Sequence, residues 1–155
     1  MAKRQCSSCQ MRKLIAQYDG FNLQAHSAYM NGRSDQTAHY YLQAFEISAE
    51  LLALWVVNEE SIRRCVEACL NCFEYGPHPS EVDEDYLEVT GQLLSDITQG
   101  KHEEYLKSTA LEAYAEVARL AHWTTRHSSC ASADAVVADF NQLWRQHAPT
   151  LIGIH

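Results

Sequence analysis

Helix breakers are scarce in this chain: it has six glycines and three prolines in 155 residues. That excludes a collagen-like or low-complexity chain and leans towards helices. Long apolar runs are missing too, and none approaches the roughly 20 consecutive residues that a bilayer-spanning helix needs. The opening MAKRQCSSCQMRK is basic but lacks the apolar centre of a secretory signal, so the expected location is the cytoplasm. Enzyme signatures are absent as well. There is no H-E-x-x-H, no Glu-x-x-His pair of the di-iron type, no G-x-S-x-G and no phosphate loop. Histidines 26, 39, 78, 102, 122, 127, 147 and 155 are scattered, so the chain is expected to be a non-enzyme without a cofactor of its own.

Positive charge is in short supply, with 12 Lys and Arg against 20 Asp and Glu and a net charge of −8. Four of those bases (Lys3, Arg4, Arg12, Lys13) lie in the first 13 residues, which hold no acid, so the rest of the chain carries −12. A body so acidic repels phosphate backbones, which argues against nucleic acid and against a membrane surface as its partner. At 155 residues and 46% apolar content, one core is expected. Of the six cysteines, Cys65, Cys69 and Cys72 stand at i, i+4 and i+7, on one face of a helix. Neighbours on one face seldom bridge, so free, buried thiols are expected.

Apolar periodicity predicts six helices and no strand. The first runs from Leu14 to Asn31 through Tyr18, Phe21, Ala25, Ala28 and Tyr29, Gly32 stops it, and Ser34 or Asp35 caps the next. The second reaches Val57 and buries Tyr41, Ala44, Phe45, Ser48, Leu51, Leu52 and Trp55. Asn58 caps a third, which carries the three cysteines and ends at Gly76-Pro77. The fourth is expected from Ser80 to Gly100 with Val82, Tyr86, Val89, Leu93 and Ile97 inside; its leading acids Glu81 to Asp85 suit the positive helix end better than a calcium loop. The fifth spans Glu103 to Arg126, and the sixth runs from Ser132 or Asp134 to Pro149. The predicted organisation is a basic segment over 1–13, a single all-helical domain over 14–148 and a tail over 149–155. Short connections make successive helices antiparallel hairpins, stacked as a short solenoid or closed as a compact bundle.

Phe21, Ala25, Gly32, Tyr41 and Ala44 follow an order of aromatic, small residue, turn glycine, aromatic and small residue. Cys65, Cys69, Gly76, Val82, Tyr86 and Val89 repeat it with one extra turn residue, and the first residue and the glycine are eleven apart in both copies. These two segments resemble tetratricopeptide repeats, and Leu106, Ala110 and Ala113 fit a third, degenerate hairpin. The second copy departs from the family: its leading aromatic is Cys65, its turn holds Pro77 and Pro79, and it starts 44 residues after the first. The resemblance implies a concave face on the first helix of each hairpin that binds another protein or peptide, as in an adaptor, chaperone or regulator. It places that face on Asn22, His26, Tyr29 and Met30, on Val66, Leu70, Phe73 and Glu74, and on Lys107, Leu111 and Tyr114. An uncapped hairpin end would expose apolar surface, which makes a second copy a further candidate partner.

Metal binding is the competing reading. Cys6-x-x-Cys9 can fill two corners of a zinc tetrahedron, with His122, His127 and Cys130 as the remaining donors. The string CVEACLNC resembles the cysteine-rich helices of four-helix copper-storage proteins, which implies Cu(I) on Cys65, Cys69 and Cys72. Those proteins carry cysteines on every helix; here the expected helices one (from Leu14), two, four and six carry none, and helix five has only Cys130 just past its end.

Overall fold

The computed structural model describes residues 2–82 and 85–153, with side chains from residue 7 onward. Among these residues it is all-helical. The α-helices are α1 (Ala2–Met30), α2 (Ser34–Glu50), α3 (Glu59–Tyr75), α4 (Tyr86–Gln99), α5 (Glu104–His127) and α6 (Ala131–Leu151). A π-helical turn, Leu51–Trp55, prolongs α2, and a 3₁₀ turn, Pro79–Glu81, precedes α4. No helix among the described residues is long and apolar enough to cross a membrane.

Local chemistry sets most boundaries. Gly32 turns the chain between α1 and α2 at φ +71°, a left-handed conformation that side chains resist. At the start of α3, Asn58 Oδ1 accepts from the Ser61 amide at 2.7 Å, and the Asn58 amide donates to Ser61 Oγ at 2.9 Å. Two of the helix's orphan amides are thereby satisfied. Gly76 closes α3, where a Cβ would stand 2.5 Å from the Cys72 carbonyl oxygen.

Three boundaries differ from expectation. The first helix begins at Ala2, twelve residues before Leu14. The fourth begins at Tyr86 instead of Ser80. Pro79 starts a 3₁₀ turn under a His78 cap, Val82 is extended, and Asp85 caps α4 by accepting from the Leu87 amide at 2.8 Å. The sixth runs through Pro149 to Leu151; the missing proline amide weakens only its last turn, and Ala148 beside it is buried.

The core is one cluster reaching from α1 to α6. Ala25 and Ala44 are fully buried where α1 meets α2, which lets those two helices pack closely. Beyond α2, α3 packs chiefly against α2 and α5, while α4, α5 and α6 form a mutually packed group. Tyr114 of α5 reaches past Gly91 of α4 and donates to Asp139 of α6 at 2.7 Å.

Candidate functional site

Between α3 and α5 the surface opens into two adjoining hollows that share Leu70. One, of about 390 Å³, is lined by Glu59 to Leu70 of α3 and Thr109 to Glu116 of α5. The other, of about 690 Å³, lies between the later turns of both helices, with Leu70, Phe73, Leu120 and Trp123 as walls and Pro77, His78 and Pro79 at the end. The early turns of both helices share one hollow and the late turns the other, so α3 and α5 run in the same direction and flank a single groove. Its floor is apolar: Ile62 and Val66 are nearly covered and Leu70 half-covered.

Trp123 is the large apolar residue of this groove that stays in solvent, at 53% exposure. Phe73 meets it edge-on at 5.6 Å, and His127 stacks on it at 4.1 Å. The His127 Nδ1 lies 2.8 Å from the Trp123 carbonyl, so that nitrogen is the protonated donor. These contacts fix the indole, and a rigid half-exposed aromatic is a common anchor in recognition surfaces.

The expected binding residues divide between groove and core. Val66, Leu70, Phe73 and Glu74 do line the groove. Leu111 and Tyr114 do not, and this corrects their expected place on the face: they are 0% and 1% exposed, and turn from the groove into the core. The reason is rotational. On α5 the groove side is Glu112, Ala113, Glu116, Leu120 and Trp123, and at 100° per residue the adjacent positions point towards α4 and α6. Lys107 is half-buried and lines neither hollow. From α1, Asn22 is half-buried, while His26, Tyr29 and Met30 are exposed, and none of them lines the groove. Tyr29 instead meets Tyr75 edge-on at 5.1 Å, and Tyr75 stacks on Tyr41 at 5.4 Å.

Sequence reasoning missed Trp123, Glu112 and Glu116. A signal was present: a tryptophan standing off the apolar stripe, and two acids at i, i+4 beside it.

The proposed metal ligands are dispersed. Cys9 is exposed on α1, and the Cys6 side chain lies outside the described residues. His122 and His127 are exposed near the end of α5. Cys130 is buried, with its sulfur 3.2 Å from Ser132 Oγ, and Ser132 also donates to Asp85. Among the described residues no three His, Cys, Asp or Glu side chains gather as a metal-ligand set.

The thiols of Cys65, Cys69 and Cys72 are all fully buried. They point to different partners, Cys69 donating to the Tyr86 carbonyl at 3.6 Å and Cys72 to the Tyr41 carbonyl at 3.4 Å. Desolvation pushes Cys65 up to about 11, against the pull of Ser48 and Thr90. Burial raises Cys72 to about 12, helped by the Glu46 carboxylate, and raises Cys69 further. Protonated thiols are poor nucleophiles.

His78 sits between two hydroxyls, with Nδ1 2.7 Å from Ser80 Oγ and Nε2 2.9 Å from Ser128 Oγ. The Ser80 amide donates to Nδ1 at 3.2 Å, so the neutral ring carries its proton on Nε2 and donates to Ser128. Ser128 in turn donates to the Thr124 carbonyl at 3.2 Å. The ring therefore fastens the 3₁₀ turn to the end of α5, and it is oriented wrongly to take a proton from Ser128 as a general base would.

No protein-family model, curated protein or solved structure matches this chain.

Proposed function

We propose that the protein is a non-catalytic binding module, an adaptor, chaperone or regulator of the cytoplasm, that holds a peptide or protein segment between α3 and α5. The observation that carries this reading is the continuous groove itself, apolar along its floor and ending in a hollow of about 690 Å³ beside the fixed, half-exposed Trp123. A groove between two helices with an aromatic anchor at one end suits an amphipathic helix or an extended segment. The same reading takes α1–α2, α3–α4 and α5–α6 as three tetratricopeptide-like hairpins. The first helices of the second and third then line the groove, as the family's architecture implies, while α1 stands outside it. The protonated cysteine stripe and the donor orientation of His78 support a role without chemistry.

The test is selection of a random displayed peptide library, each member about 16 residues and so about 22 Å long as a helix. Peptides recovered on the native protein are counter-screened on Leu70→Glu and Trp123→Ala proteins whose far-ultraviolet circular dichroism matches the native spectrum. Peptides that bind the native protein and are lost on both variants support the reading. Peptides indifferent to both, or none recovered, would refute it.

A further inference from the structure

The apolar floor of the groove does not choose a partner, but its rim does. Four carboxylates line the first hollow, Glu59, Glu67, Glu112 and Glu116, with Arg63 as the basic residue among them. Arg63 is engaged, 3.3 Å from Glu59 on its own helix. Glu67 of α3 and Glu112 and Glu116 of α5 have no basic partner among the described residues, and all three are exposed. They stand on both walls of one groove. An acidic or neutral occupant would strip water from these carboxylates and give nothing back, whereas Lys or Arg side chains would replace that water with charged partners. The net charge of −8 works the same way at longer range, drawing cations towards the molecule.

From this we infer that the groove takes a basic amphipathic segment of another protein, an inference that rests on the peptide-binding reading above. One large apolar residue of that segment fills the hollow beside Trp123 and Phe73. Its Lys or Arg residues lie further along the groove, level with Glu116 and Glu112. Those two positions are seven and eleven residues from Trp123 along α5, or about 10 and 16 Å. A helical ligand would therefore carry bases roughly seven and eleven residues from its anchor, and an extended one roughly three and five residues from it.

The displayed library separates this inference from the reading beneath it. Trp123-dependent peptides enriched in Lys or Arg at those spacings support the inference. Affinity of the best of them should fall about tenfold or more on a Glu112→Gln, Glu116→Gln protein, and should weaken as salt rises. Trp123-dependent peptides that are neutral or acidic, or that ignore the double substitution, leave a peptide groove standing and overturn the basic partner. Recovery of no Trp123-dependent peptide removes both. Sedimentation of the native protein alone at low salt covers the remaining occupant. A dimer that the double substitution dissolves would make the basic N-terminal residues of a second copy the ligand and overturn the foreign partner.

Discussion

At the scale of single residues, burial decides which groups are available to chemistry. Cys65, Cys69 and Cys72 have fully covered sulfurs and raised pKa values, whereas Cys9 faces solvent on α1. A thiol reagent such as dithionitrobenzoate should therefore modify Cys9 at once and reach the three stripe thiols only on unfolding. Fast labelling of any of the three in the native protein, read by peptide mass spectrometry, would contradict the packing. The same shifts set the alkaline limit of stability. A thiol or phenol whose folded pKa lies above its unfolded value favours the native state fully below the unfolded pKa. That contribution is lost as pH climbs from the unfolded value towards the folded one. For Cys65 the window opens near the ordinary thiol value and closes at about 11; for Cys72 it closes at about 12. Burial pushes Tyr18 up to about 12 and raises Tyr86 and Tyr114 as well, so their windows open higher. The unfolding free energy from urea titration should drop above about pH 9, by about 1.4 kcal/mol per pH unit for each of these groups titrating. Cys65→Ala should flatten that slope, because its thiol no longer ionises on unfolding.

At the scale of elements, caps and turns hold the groove walls in place. Asn58 and Ser61 close the N-terminus of α3, the helix that supplies one wall, so Asn58→Ala should lower stability by about 1 kcal/mol in chemical denaturation. No change would mean that the Ser61 hydroxyl does the capping alone. The 3₁₀ turn Pro79–Glu81 is tied to α5 by His78 and Ser128 across a separation of 50 residues. His78→Ala removes both the cap of that turn and the tie, and should speed amide exchange at the Ser80 and Glu81 amides while leaving the middle of α4 unchanged. Uniform exchange across the whole of α4 would show that the turn and helix open together.

At the scale of the whole molecule, the two sides of α5 do opposite work. Leu111, at 0% exposure, belongs to the shared core, and Leu111→Ala should cost about 2–5 kcal/mol through lost burial and the cavity left behind. Trp123 is larger but stands half in solvent over the groove, so Trp123→Ala should cost less than about 1 kcal/mol. Thermal unfolding of the two variants side by side checks this inversion, in which the smaller side chain matters more to the fold. A greater loss from Trp123→Ala would mean that the indole is part of the core and that the groove is closed in solution.

Helices, their order, the Asn58 cap and the closing glycines Gly76 and Gly100 could be read from the amino-acid string, because these depend on neighbours within a turn or two. The caps of α2, α4 and α6 fall on Arg33, Asp85 and Cys130 instead of the expected serines and aspartates. The recurrence of Tyr41, Ala44, Phe45, Ser48, Leu51 and Leu52 marks a buried face whatever that face meets, and all six are buried, whereas Trp55, expected on the same face, is only half-buried at the end of the π-helical turn. Gly32 and Asn58 act on their own backbone and read equally well. What α5 presents to each neighbour is a different kind of fact. That helix touches α3, α4 and α6, so apolar residues surround much of its circumference, and periodicity cannot say which stripe is covered and which is left open. Tyr114 reads as a surface aromatic until α6 supplies Asp139 as the acceptor for its hydroxyl. The 3₁₀ turn ahead of α4 is likewise held by Ser128, 50 residues away, through His78. Glu67 faces Glu112 and Glu116 across the groove only because α3 and α5 lie side by side, 45 and 49 positions apart in the chain. Tertiary packing alone placed the floor, the anchor and the charged rim on one groove, since the rotation of α5 about its axis is set by what packs behind it.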